Sequence, residues 1–162
     1  MYACGLNNYG QLGLKKEGCI FAPVKVPELQ GCSLIRPGQH HTLAVRDNML
    51  YALGRTTYGR LGRADVDATA DAAVHELGAV AGLEECAPVA GAAGGLAVSG
   101  CFGGPEGRLW LWGMGGPLQG NGDEEDDCLT PQVRRLGAVS GRQRRPTRLG
   151  QTRVALRAAR RG

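Results

Sequence analysis

Two adjacent histidines, His40 and His41, occupy the most site-like setting in the sequence. They follow Pro37-Gly38-Gln39, a Gly-containing turn, and precede the apolar run Leu43-Ala44-Val45. A histidine in such a loop can hold a proton, bond a backbone carbonyl or face a partner. Asp123 to Asp127 form an uninterrupted acidic run able to meet a basic partner or a cation. Calcium would require spaced ligands around a turn glycine, which this run lacks, so no metal site is assigned and the run is read as a solvated loop. Trp110 and Trp112 stand two apart, so a strand would put both on one face, as core. The six cysteines, Cys4, Cys19, Cys32, Cys86, Cys101 and Cys128, include no Cys-x-x-Cys pair. No secretory signal opens the chain, and the cysteines are read as buried, reduced thiols. Chemistry of the usual kinds is poorly supported. The sequence contains no Gly-x-x-x-x-Gly-Lys-Ser/Thr phosphate loop, no Gly-x-Ser-x-Gly elbow and no His-Glu-x-x-His pair. No cofactor and no small-molecule substrate are implied.

The elements that must position these residues are repeated. Residues 2–13 (YACGLNNYGQLG) and 51–62 (YALGRTTYGRLG) share seven of twelve positions at an offset of 49, including Gly5/Gly54, Tyr9/Tyr58, Gly10/Gly59, Leu12/Leu61 and Gly13/Gly62. A worn third copy starts at Trp110, with Gly113 in the place of Gly5. Between the copies, PGQHHTLAV (37–45) matches AGAAGGLAV (90–98), aligning Gly38 with Gly91 and the two Leu-Ala-Val runs. A period near 50 with short β-like runs is the mark of a β-propeller or a related stacked array. Residues 43–45, 46–48 and 49–53 read as strand, turn, strand. Leu96–Ser99 and Leu109–Trp112 repeat this around a Gly/Pro loop at 100–107. Residues 64–84, rich in alanine, read as an irregular insertion with room for one helical turn. Residues 86–105 are twenty uncharged positions, long enough to span a membrane, but their six Gly and two Pro favour one buried strand with flanking turns, and no membrane segment is assigned.

Composition agrees. The 162 residues include 27 Gly, about a sixth of the chain against a usual share of roughly 7%. That density argues against a helical bundle, since each helical Gly costs roughly 1 kcal/mol relative to Ala. The formal charge of +4 conceals a division: residues 1–133 hold nine Lys/Arg and all fifteen Asp/Glu, residues 134–162 ten Arg and no acid. The Arg-rich tail could meet phosphates. It also reads as a disordered or artefactual ending, such as an out-of-frame GC-rich stretch would encode.

The unit Gly38-Gln39-His40-His41-Thr42, then Tyr51 to Gly62, then Trp112-Gly113-Met114-Gly115 with the acidic run behind it, resembles the regulator of chromosome condensation family. The resemblance covers roughly residues 1–133, as repeats of about 1–50, 51–109 and a partial 110–133. It implies an all-β fold, a partial propeller of about three repeats from a seven-bladed ring, in a fragment or truncated product of the C-terminal half. It further implies guanine-nucleotide exchange on the small GTPase Ran at chromatin, with histones as a second partner, in the nucleus with a cytoplasmic pool besides. Such a protein is a regulator and not a catalyst of covalent chemistry. The wedge that the family inserts near the nucleotide belongs to an earlier blade absent here. His40 and Gln39 would fall on the Ran-facing surface as partner contacts. His41 and Thr42 would be a structural pair bonded to neighbouring loops, with Gly5, Gly13, Gly38, Gly54, Tyr58, Gly59, Gly62, Trp112 and Gly113 as repeat-forming positions. The alternative is a repeat module for protein interaction without exchange activity, as in large ubiquitin ligases. Photoreception by similar propellers is discounted, because the tryptophan clusters it uses are missing.

Overall fold

The computed structural model describes residues 1–116 and 126–134. Among the described residues, ten strands make three antiparallel sheets. The first pairs β1 (Tyr2–Leu6) with β2 (Cys19–Lys25). The second runs, in both chain and spatial order, through β3 (Leu34–Pro37), β4 (His41–Arg46), β5 (Met49–Arg55) and β6 (Ala73–Ala79). The third repeats that meander with β7 (Val89–Gly94), β8 (Val98–Gly103), β9 (Arg108–Gly113) and β10 (Cys128–Arg134). Three short 3-10 turns are the only helical pieces among the described residues, and none of these is long and apolar enough to cross a membrane. The chain is a partial propeller whose sheets do not close into a ring.

The β4–β5 hairpin forms where the apolar alternation and the turn chemistry agree. Asp47 and Asn48 both take left-handed φ (51° and 64°), as a two-residue hairpin demands, and short polar side chains tolerate that conformation. Alternation then divides the core. Leu43, Val45, Leu50 and Ala52 pack with Cys101, Trp110 and Trp112 toward the third sheet. Ala44 and Leu53 pack with Val26 and Leu29 toward the first. The second sheet is thus covered on both faces, and five of the six residues of β4 are buried.

Matching the sheets strand for strand corrects the repeat alignment. His41 pairs with Gly54, and Val98 pairs with Gly113. Gly38 N–H donates to His41 O, and Gly95 N–H donates to Val98 O. The equivalent of Gly38 is therefore Gly95, not Gly91, and the equivalents of His41 and Thr42 are Val98 and Ser99. The two Leu-Ala-Val runs are out of register; their match is a coincidence of composition. The sheets also run 34–79 and 89–134, so the boundary between sequence repeats at 50/51 lies inside β5.

Three further expectations are revised. Residues 64–84 are not an irregular insertion: 73–79 form β6, because the outer edge of β5 leaves backbone groups that a fourth strand satisfies. The uncharged stretch holds two strands, β7 and β8, and β8 extends to Gly103, leaving only 104–107 as the turn. Glycine is accommodated in β8 because Leu111 Cδ2 lies 2.6 Å from where a Cβ of Gly100 would stand, filling that side-chain space from the neighbouring strand. Of the six free cysteines only Cys86 and Cys101 are buried; Cys4 and Cys19 are exposed because the two-stranded first sheet has no neighbour on that side. Most of the acidic run (123–125) and residues 135–162 of the basic tail lie outside the described residues.

Candidate functional site

The sites singled out from sequence gather where the loops after β1 and β5 meet the turn before β4. Gly5, Gly54 and Gly113 share φ of +115°, +119° and +110°. A Cβ on Gly54 would stand 2.5 Å from His40 O, and one on Gly113 would stand 2.2 Å from Ala97 O, so glycine admits the preceding strand at this point. Two residues further on, a buried polar side chain closes the loop. Asn7 Nδ2 donates to Leu14 O and Lys16 O (2.8 and 2.7 Å) while its Oδ1 accepts from Leu12 N (2.8 Å). Thr56 does the same work with Ala70 O and Ala72 N. Then comes Tyr9-Gly10-Gln11-Leu12-Gly13 or Tyr58-Gly59-Arg60-Leu61-Gly62. In the second copy Tyr58 itself is left-handed (φ 64°), half-exposed, and lies against the Arg60 guanidinium at 5.4 Å. A Cβ on Gly13 would press on Val26 at 3.2 Å, and one on Gly59 would stand 2.5 Å from Leu129 Cα.

His41 and Thr42 bind this loop to the sheets on either side. Thr42 Oγ1 donates to Gln11 O at 2.7 Å, and its equivalent Ser99 Oγ donates to Arg60 O at 2.6 Å. Trp112 Nε1 donates to the same carbonyl at 3.0 Å, and Gly62 leaves room for that indole. Ser99 has one proton and spends it on Arg60 O. It must therefore accept from His41 Nε2–H, 2.8 Å away, which fixes the neutral tautomer with the proton on Nε2. His41 is fully buried, and burial, with Arg60 and His40 adding repulsion, lowers its pKa to about 4. Its bare Nδ1 has no partner and stands 2.7 Å from the Cβ position of Gly38, so only glycine there admits the ring.

His40 points away from this network. Its carbonyl accepts from Arg55 N–H at 2.8 Å, but its ring only stands edge-on to Tyr9 (5.1 Å) and its Nδ1 is unpartnered. Arg55 stacks on Tyr9 (4.5 Å) and closes on Asp71 at 2.6 and 2.7 Å. Partial burial and then the cations Arg55 and Arg60 lower the His40 pKa, so the ring is neutral at pH 7. Gln39 is exposed beside it, its N–H donating to Gly95 O at 3.0 Å. Gln39, His40, Arg55, Tyr58, Arg60 and Leu96 line a pocket of about 190 Å³. The described part of the acidic run lies across the neighbouring loop, where Asp127 Oδ1 accepts from Gly115 N–H at 2.8 Å.

The model of the regulator of chromosome condensation repeat matches residues 1–45. The regulator of chromosome condensation of Xenopus laevis is 33% identical over 137 residues, which are 82% of this chain and 30% of that protein. The chain carries the repeats of the regulator of chromosome condensation family. The Mus musculus relative is 35% identical over 133 residues, 78% of this chain and 30% of its own length. The repeats here thus span under a third of those relatives. The fold agrees with two structures containing Prp20p of Saccharomyces cerevisiae. One has Kap60 bound (TM-score 0.70, 22% identity, 85% of this chain and 33% of that one). The other was reported with its binding to Gsp1p and histones (TM-score 0.67, 22% identity, 85% and 34%). Within the repeats, sequence reading missed Ser99, Arg60 and Arg55, and it took Tyr9 only as a repeat position. The signal for Ser99 was hidden by the false Leu-Ala-Val register. Arg60 stood in view as the position where the two Tyr-Gly-x-Leu-Gly copies differ.

Proposed function

We propose that this chain supplies part of the partner-binding face of a guanine-nucleotide exchange factor for a Ran-type small GTPase, working at chromatin in the nucleus. His40 and Gln39 are the contact residues of that face, and histones are a second partner of the whole protein. Exchange of this kind needs no covalent chemistry. The factor binds the nucleotide-free GTPase more tightly than the loaded one, and the difference drives release. The observation that carries the reading is the division of labour between the two histidines. His41 is consumed by bonds between sheets, while His40, next to it, is held in place by its backbone, and its half-buried ring lines the pocket with only an edge contact to Tyr9. A side chain positioned but not used by the fold is available to a partner.

Release of labelled GDP from Ran, with and without protein, tests this. The chain alone should bind the nucleotide-free GTPase weakly at most and should not accelerate release. In a complete seven-bladed relative carrying this loop, His40→Ala should slow exchange without lowering the melting temperature. If His40→Ala leaves exchange unchanged, the loop does not face the GTPase. The reading of the repeats as a binding module without exchange activity then takes its place.

A further inference from the structure

Three arginines of the second and third repeats are paired with carboxylates, and one buried arginine is not. Arg63 is clamped by Asp65 at 2.9 and 2.6 Å, Arg55 by Asp71, and Arg108 by Glu106 and Glu85. Arg60 is only 2% exposed, yet it makes no ion pair among the described residues. Its acceptors are all neutral: Nε donates to Thr57 O (2.8 Å), Nη2 to Thr57 Oγ1 (2.9 Å) and Nη1 to Leu96 O (3.2 Å). Two of the five N–H groups of the guanidinium find no acceptor among those residues. The loop itself does not demand a cation, because the equivalent position of the first repeat is Gln11, whose Oε1 accepts from Tyr9 N–H at 2.9 Å. A charge removed from water against neutral acceptors is unfavourable, and a counter-anion would relieve it. The acid nearest in this network, Asp71, is already engaged by both oxygens with Arg55.

We propose that the pocket between the His40 turn and Arg60 is a carboxylate-binding subsite that receives an aspartate or glutamate side chain of a protein partner. Arg60 supplies the charge and the unused N–H groups, the rings of His40 and Tyr58 form the walls, and the exposed Gln39 amide stands at the rim. With Arg55 neutralised by Asp71, the described residues leave the pocket one uncompensated positive charge, which matches a carboxylate better than a dianionic phosphate. Its volume of about 190 Å³ suits one short side chain and excludes a nucleotide. The left-handed Tyr58, held against Arg60, keeps the wall in place in a conformation that costs a non-glycine residue free energy. The proposal rests on the reading of the His40 turn as partner-facing and names the chemistry that this face selects.

The test is an NMR titration of the full chain, following the ring resonances of His40 and Tyr58. The probes are sodium acetate, the blocked peptide Gly-Glu-Gly, its Gly-Gln-Gly counterpart and inorganic phosphate. Acetate and the Glu peptide should give saturable shifts, the Gln peptide none. Arg60→Gln, which installs the residue of the first repeat and leaves the fold intact by tryptophan fluorescence, should weaken acetate binding by about tenfold or more, the worth of one charge-assisted bond. Arg60→Lys should retain part of it. Absence of saturable shifts, equal binding of the two peptides, or phosphate binding more tightly than acetate would each overturn the proposal. Binding of nucleotide-free Ran is measured alongside on a complete seven-bladed relative carrying this loop, with and without Arg60→Gln. If Ran binds wild type and Arg60→Gln equally, the subsite is wrong and the partner reading stands. If acetate binds through Arg60 but Ran binds neither protein, the partner reading is wrong and the carboxylate site remains.

Discussion

Replacing His41 by alanine removes a fully buried imidazole from the junction of the second and third sheets. Two losses can be sized. The His41–Ser99 hydrogen bond at 2.8 Å contributes about 1 kcal/mol net. The emptied ring volume, walled by the backbone of Gly38 and Gly94, cannot collapse easily, because both strands are fixed by their ladders. Truncation of a buried ring-sized side chain in such a place costs about 2–3 kcal/mol more. The expected destabilisation is therefore about 3–4 kcal/mol, or a fall in melting temperature of roughly 10 °C for a chain of this size. Urea titration at low protein concentration reads it directly, since the only tryptophans, Trp110 and Trp112, are both buried at that junction. Ser99→Ala alone should cost about 1–3 kcal/mol by leaving His41 Nε2–H without an acceptor. In the double variant the two effects should be less than additive by about 1 kcal/mol. A His41→Ala protein within 0.5 kcal/mol of wild type, or strict additivity with Ser99→Ala, would refute the relay from His41 through Ser99 to Arg60 O.

The same histidine makes stability depend on pH. Its folded pKa of about 4 lies below the unfolded value near 6.5, so the unfolded chain binds the proton more readily; stability is fully present above about pH 6.5 and falls by about 3 kcal/mol as pH drops to 4. Urea midpoints measured across that window should slope in wild type and flatten markedly in His41→Ala. Gly38→Ala should destabilise by about 1–3 kcal/mol, because the new methyl would stand 2.4 Å from His41 Cε1 and 2.7 Å from Gly95 O; combining it with His41→Ala should recover part of the loss in the same titration. The far face of the third sheet carries Phe102, Leu109 and Leu111 at positions equivalent to Val45, Leu50 and Ala52, which the second sheet buries, and Phe102 is 49% exposed. Without a further sheet over that face, the chain should be oligomeric or poorly soluble, and a monomeric elution in size-exclusion chromatography would contradict this.

The hairpin of β4 and β5 was legible because everything that specifies it is local: alternation in Leu43–Val45 and Met49–Leu53, and turn residues at Asp47 and Asn48 that accept left-handed φ. The repeated glycines were legible too, since Gly54 and Gly113 serve a backbone approach that no other residue permits. The pair Trp110 and Trp112 announced a buried strand face by spacing alone. Strand β6 was not legible. Ala73–Ala79 has no strong alternation, and it is a strand because β5 has an edge to satisfy, a fact belonging to the sheet and not to the segment. Nor could the sequence align Ser99 with Thr42. The local similarity pointed to the wrong register, and only the shared ladder positions of Val98 and His41, opposite Gly113 and Gly54, decide it.

The sequence by itself determined that this chain is a repeat protein of short strands, and which positions recur. Those properties reside in periodicity and in backbone conformations that particular residue types allow. The tertiary structure alone separated His40 from His41. Adjacent residues on one strand entry point to opposite sides, so one ring meets Ser99 of the next sheet and the other meets Tyr9 of the previous loop. Which ring is spent on the fold depends on residues 58 positions ahead and 31 positions behind. The uncompensated charge of Arg60 was equally invisible. An arginine among fifteen acids in sequence gives no hint of isolation, and among the described residues it is left without a carboxylate only when folding assigns Asp65 and Asp71 to other arginines.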